Sequence, residues 1–310
     1  MNRFDTFALS CIVLIATSSF GEVDIDIGGD LIARWQWDSR DIYPNNKFSL
    51  ERLRPKIKAD FGSGFSGKLS FDLKNGSAEL KDADISWKCA RSFEIGIGRR
   101  RKPFGLEDII GRWSVPGVDW TEIHERFDDA GYLDRDIGCW INGKLFQEPY
   151  QIEYDIGLFN GHSGDIRTSE KQFVGRFIYS PLEFVDFIGS YGTGLDTLGL
   201  EWRNAWNLGA ILDPGNLELA GEYAEGTDII TEDKVEGYEL WARYSFGKFQ
   251  PYLQYESVGT DTESEPKTSI GLRFEPIDKI RLKLQGTYIN IDKTGGVSHS
   301  EITLQAHARF

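Results

Sequence analysis

The chain has 310 residues, 27% of them charged, and a formal net charge of −14 at pH 7. That acidity argues against a nucleic-acid partner, and no run past the first residues approaches the ~20 apolar residues of a transmembrane helix. A mean hydropathy of −0.38 resembles that of a soluble protein, but strands that alternate apolar and polar side chains give the same average while touching lipid on one face.

The first residues have the pattern of an export signal. Arg3 supplies a positive charge, Phe7 to Ala16 is apolar except for Ser10, and the small residues Ser19 and Gly21 precede a cut before Glu22. The expected division is a signal segment, 1–21, and one barrel domain, 22–310. Cys11 would leave with the signal, and Ala8 at three residues before it argues against a lipid-modified cysteine. Cys89 and Cys139 remain, the first at a turn and the second well along a later strand, so pairing is not expected. No CxxC or Cys/His set points to zinc, and no cofactor is expected.

From there the chain reads as about sixteen alternating segments, each near the ~10 residues of a tilted membrane strand. They are 23–37, 48–61, 65–75, 79–88, 91–100, 135–146, 150–160, 171–180, 184–192, 197–212, 217–226, 236–247, 249–258, 267–275, 279–291 and 300–310. Gly28-Gly29 in the first suggests a bulge or kink. Links from even to odd segments are short, as in Gln147-Glu148-Pro149 and Gly247-Lys248. Links from odd to even are longer and polar, as at 161–170 and 292–299. This alternation is that of an antiparallel transmembrane β-barrel with tight turns at one end and loops at the other. The final segment has Ile302, Leu304, Ala306, Ala308 and Phe310 on one face and Glu301, Thr303, Gln305, His307 and Arg309 on the other. It resembles the closing strand of a bacterial outer-membrane barrel. Residues 101–134, between the fifth and sixth segments, are far longer than a typical connection. Their position after the fifth segment resembles that of the third external loop of sixteen-stranded porins, which implies that they fold into the barrel and narrow it.

Period-two counting assigns the faces. In the second segment Leu53, Pro55, Ile57, Ala59 and Phe61 point outward, and Arg52, Arg54, Lys56 and Lys58 inward. The reverse would put Lys and Arg against lipid at a cost of ~2–4 kcal/mol each at mid-bilayer. Arg34, Arg273, Arg281, Lys283, His307 and Arg309 also count as inward, and closure of the last strand on the first joins them into one basic wall. Asp72, Asp82, Asp84, Glu153, Asp155, Glu218 and Glu222 make the remainder acidic. Ladders of Lys and Arg attract anions in pores. A second basic run, Arg99, Arg100, Arg101 and Lys102, leads into the long loop. It suits either the constriction or a strand end that meets lipopolysaccharide phosphates.

Arg99 to Glu107, Arg-Arg-Arg-Lys-Pro-Phe-Gly-Leu-Glu, resembles the G-x-x-K-x-PFG-x-E pattern of phosphate-selective porins of the O and P type. Arg52-Leu-Arg54, Lys68 to Asp72, Leu80 to Ile85, Glu125-Arg126, Arg135 to Gly138 and Gly157 to Gly161 resemble further motifs of that family in order, covering most of 48–161. The resemblance implies a sixteen-stranded homotrimeric outer-membrane porin passing phosphate or other small anions. Arg52, Arg54, Lys102 and Arg135 stand at motif positions. The family's third-loop lysines are not reproduced, since 103–134 holds Arg112 and Arg126 but no Lys. A general, weakly selective porin is the nearest rival, supported by the net negative charge. A non-conducting adhesin barrel and a hydrolase built on Gly161-His-Ser-Gly-Asp165 are remoter, the latter because sequence neighbours in a polar loop rarely converge into a triad.

Overall fold

The structure is a computed structural model that describes residues 23–310 except 41, 74–76, 162–170, 196–200, 230, 260–263 and 291–297. The expected signal segment and His162 to Asp165 lie outside the described residues.

Alternating sequence cannot bury both strand faces in one layer, and an open sheet leaves unpaired edges; closure answers both. The strands are β1 (Asp24–Asp38), β2 (Asn46–Gly62), β3 (Phe65–Asp72), β4 (Glu79–Ala90), β5 (Phe93–Arg101), β6 (Arg135–Leu145), β7 (Gln151–Phe159) and β8 (Gln172–Leu182). They continue as β9 (Val185–Leu195), β10 (Trp202–Leu212), β11 (Leu217–Thr227), β12 (Lys234–Tyr244), β13 (Phe249–Gly259), β14 (Ser264–Ile277), β15 (Ile280–Ile289) and β16 (His299–Arg309). Each pairs antiparallel with its chain neighbours, and β16 closes on β1 from Asp30↔Arg309 to Asp38↔Glu301. All sixteen expected segments are strands, with ends shifted by a few residues. β10, for example, begins at Trp202 rather than 197.

The expected bulge at Gly28-Gly29 is elsewhere: the register of β1 on β2 shifts between Ile32 and Ala33. The two glycines instead admit the chain end. Gly29 N–H donates to the Phe310 carbonyl at 2.9 Å, and a Cβ on Gly29 would sit 2.5 Å from the Phe310 ring. Gly64 serves the β2–β3 turn in the same way, with φ +83° and the Lys88 carbonyl 2.3 Å from where a Cβ would be.

Outward positions are apolar around the barrel, among them Ile27, Phe48, Ile97, Leu208, Leu240 and Ile270, all exposed. An exposed apolar belt of that extent exceeds what a monomer in water carries. Cys89 and Cys139 are unpaired and exposed.

The interior is not uniformly polar. Residues 102–134 lie within the barrel and carry two short helices, α1 (Glu107–Ser114) and α2 (Glu122–Asp129). α1 is kinked at Gly111, where φ is +69°. Thr121 caps α2, its hydroxyl accepting from the His124 N–H at 3.4 Å. Phe104, Ile123, Phe127, Tyr132 and Leu133 pack against Phe159, Val174, Ala205, Ala224, Val235 and Val258 of the wall. Leu106 packs against Ile188, Ala220 and Trp241. Strands β7 to β13 are thus apolar on both faces over part of their length, which seats the loop on that half of the lumen.

Candidate functional site

A loop buried in a barrel must find partners for its main-chain polar groups, because each one left unpaired costs about as much as a lost hydrogen bond. Short helices satisfy few of their own. Wall side chains supply the rest, sorted by charge. The carbonyls around the end of α1 accept from cations: Ser114 from Arg243 at 2.7 Å and Arg273 at 3.3 Å, Val115 and Gly117 from Lys283 Nζ at 2.7 and 2.6 Å, and Trp113 from Arg281. Val118 accepts from Arg34 Nη2 at 3.0 Å. Main-chain N–H groups at the helix starts donate to acceptors: Leu106 to Glu222 at 3.0 Å, Glu122 to Glu256 at 2.6 Å, and Gly105 to Ser190 Oγ at 3.2 Å. Anions near helix starts and cations near helix ends match the polarity of the peptide dipoles.

Four residues counted as pore wall from their strand face therefore have another task. Arg34, Arg273, Arg281 and Lys283 do point inward, but the loop lies over them, and Lys283 is fully buried beneath it.

The open lumen is displaced to the opposite half, against β1 to β6 and β16. A cavity of about 410 Å³ lies there. Its walls carry nine Arg and Lys against five Asp and Glu, an excess of positive charge in a chain that is strongly negative overall. Arg52, Arg54, Lys56, Arg100, Arg101, Arg135 and Arg309 from the sequence reading all line it. Most are paired: Arg54 with Asp72 at 2.7 Å, Arg100 with Asp155 at 2.6 Å, Arg135 with Asp82 at 3.0 Å, and both Lys56 and Arg309 with Asp30. The expected acidic remainder is thus interleaved with the cations rather than set against them. Arg52 differs, since it makes no hydrogen bond or ion pair with any described residue while facing the cavity beside Arg54 and Arg112.

Three tryptophans hold the guanidinium planes in place. Arg281 and Arg309 lie 4.1 and 4.3 Å from the Trp113 ring centre, Arg101 and Arg112 lie 5.4 and 5.3 Å from Trp120, and Arg100 lies 4.8 Å from Trp140. Each contact is cation–π in geometry. Arg112, Lys68 and the tryptophans are not among the pore residues expected from the sequence. Arg112 comes from the loop, where no period-two face exists to place it.

Other expected cations sit off the cavity. Arg99 takes register with the outward-exposed Ile137 and donates from Nε to the Leu80 carbonyl at 3.3 Å. Lys102 is fully buried at the base of the loop, bonded to the Gly131 carbonyl at 2.5 Å and to Gln172 Oε1 at 2.9 Å. Burial pushes its ammonium down to about 8. Lys58, near the turn end, is exposed and off the cavity lining.

Beneath the loop lies a nest of carboxylates that no single segment reveals. Glu107 of α1 meets Glu222, Glu239 and Glu256 from three successive strands, all four buried. Glu107 Oε2 accepts from the Thr121 N–H at 2.9 Å and its hydroxyl at 3.0 Å, while Oε1 and both Glu239 oxygens have no hydrogen-bond partner among the described residues. Burial, with Glu256 and Glu222 adding to it, pushes Glu107 up to about 8 against the Thr121 hydrogen bonds. His124 is held well below the usual imidazole range by burial and by Arg101, Arg112 and Arg135. It is therefore neutral, stacked on Trp120 at 4.3 Å between ring centres, with Nε2 accepting from Arg101 Nη1 at 2.8 Å.

No protein-family model matches the chain, and no curated protein does either. Its fold has close counterparts among solved structures. An anion-selective porin from Comamonas acidovorans is similar over 93% of this chain and 100% of that one, with a TM-score of 0.74 and 14% identity. The outer-membrane channel DcaP of Acinetobacter baumannii is similar over 94% and 99%, with a TM-score of 0.72 and 12% identity. Salmonella typhi OmpF is similar over 92% and 97%, with a TM-score of 0.66 and 13% identity. At such identities the likeness is one of fold: the chain has the sixteen-stranded barrel of the porins.

Proposed function

We propose that the chain is an outer-membrane porin through which small anions diffuse passively, with the inserted loop narrowing the path. The carrying observation is Arg52, a guanidinium with no partner among the described residues, on a cavity wall where cations outnumber carboxylates nine to five. In a narrow lumen with low-dielectric walls, a surplus of one sign raises the local concentration of the opposite ion. The exposed apolar belt supports a lipid-facing barrel; in this reading the loop end faces outside the cell, among lipopolysaccharide, and the turn end the periplasm. The fold and the motifs of 48–161 support a homotrimer. Phosphate is the preferred solute in this reading, on the strength of those motifs and of guanidinium geometry, which suits phosphate oxygens. A general, weakly selective porin is the second reading, favoured by the pairing of most lumen cations with carboxylates.

The test is the zero-current potential of the purified protein in a planar bilayer under a KCl gradient, followed by addition of phosphate. An anion-signed potential with phosphate reducing the chloride current is the expected result. A near-zero or cation-signed potential would overturn anion selection and leave the general porin.

A further inference from the structure

At the loop end of the seam where β16 closes on β1, three metal-ligating side chains converge away from the pore cavity. Asp38 ends β1, His299 begins β16, and Glu301 is the register partner of Asp38. One ligand atom from each lies within 4.8 Å of the other two. Asp38 and His299 are buried, 7% and 6% exposed, and Glu301 is half-buried. The backbone beneath is fixed: Ser39 N–H donates to the Ser300 carbonyl, and Ser300 N–H to Ser39 Oγ, both at 2.9 Å. Gln36 Nε2 holds Glu301 Oε2 at 2.9 Å, leaving Oε1 turned to His299 Nε2 at 3.5 Å. This is the outer support that orients ligands around a metal.

A second observation shows what the position attracts. The Arg40 guanidinium already lies there, with Nε 3.0 Å and Nη2 2.5 Å from Asp38 Oδ2, and Nη2 3.9 Å from Glu301 Oε1. The fold has delivered a cation to two carboxylates, and the imidazole beside them adds a donor that a guanidinium cannot use as a ligand. We propose that Asp38, His299 and Glu301 form a binding site for a divalent transition ion of the Zn²⁺ class, for which Arg40 is the resident competitor. One imidazole nitrogen and two carboxylate oxygens suit Zn²⁺ or its neighbours better than Ca²⁺, which takes oxygen ligands. Ligands of one tetrahedral ion at ~2.1 Å stand about 3.4 Å apart, so the three ligand atoms, now within 4.8 Å of one another, draw inward as the ion binds. Arg40 swings off Asp38 as the ion enters, and the ion ties the last strand to the first at the mouth.

The experiment is isothermal titration of ZnCl₂ into detergent-folded protein without a histidine tag, with Cys89→Ser and Cys139→Ser so that thiols take no part. Saturable binding of one ion per chain is expected, weakened at least ~10-fold by His299→Ala and by Glu301→Gln. Retained heat-modifiable migration on gels shows that these variants still fold. Arg40→Ala binds more tightly, because no guanidinium has to leave. Absent saturable binding, or binding that survives both ligand substitutions, overturns the site. Binding not tightened by Arg40→Ala overturns the competition.

Discussion

Raising the pH from about 6 to about 9 is expected to loosen the inserted loop, and Glu107 sets the size of the effect. Its carboxyl is pushed up to about 8 when the loop is seated, against the 4.5 of a glutamate in water. A carboxylate raised in this way favours the seated loop fully below pH ~4.5, and that advantage is lost as the pH climbs toward the seated value. Each unit of difference corresponds to about 1.4 kcal/mol, so seating at pH 9 is weaker than at pH 6 by on the order of 3 kcal/mol. The groups facing Glu107 do not relieve this: Glu222, Glu239 and Glu256 belong to the wall and are acidic, and His124, 3.8 Å away, is neutral. Single-channel conductance and trypsin cleavage at Arg112 and Arg126 both report the loop. Both are expected to rise with pH in the wild type. In Glu107→Gln, which keeps an acceptor for Thr121 without the charge, both stay low and flat. A wild-type conductance independent of pH, or a Glu107→Gln profile that overlays it, would refute the argument.

Arg52→Glu with Arg54→Glu should move the zero-current potential toward cations, since the cavity wall then carries seven residues of each sign; an unchanged potential would sink the role of that column. Lys283→Met should release the carbonyls of Val115 and Gly117 and leave them unpaired, costing ~1–3 kcal/mol for each buried group, and should appear as noisier, larger conductance steps. Steps identical to wild type would mean that the loop is held elsewhere. Deleting 112–128 should raise conductance, because those residues lie within the barrel and fill part of the lumen; no change would place the loop outside the path of the ions.

The strands were legible because a membrane barrel imposes the simplest of patterns. Period two gives the face, and turn residues such as Gly62-Ser63-Gly64 give the ends. The counts therefore placed Ile57 outward and Lys283 inward, and the alternation of short and long links fixed the topology. The same pattern could not say what lies across the lumen. Arg52 and Lys283 read alike in sequence, each a cation on the inward face of an alternating strand. Arg52 lines the open cavity with no hydrogen-bond or ion-pair partner among the described residues, whereas Lys283 is buried under two loop carbonyls. Arg99 and Lys102 likewise belong to one basic run, yet one turns out beside Leu80 and the other is sealed against Gln172.

The sequence by itself determined the barrel, its strand order and the long third loop, because those depend on contacts between neighbours along the chain and on the alternation that lipid and water require. The tertiary structure alone decided which cations face the pore, where Glu107 meets Glu222, Glu239 and Glu256, and how Asp38 meets His299 and Glu301. Those contacts join residues far apart in the chain and depend on how one irregular loop lies inside a closed wall, for which no periodicity exists to be read.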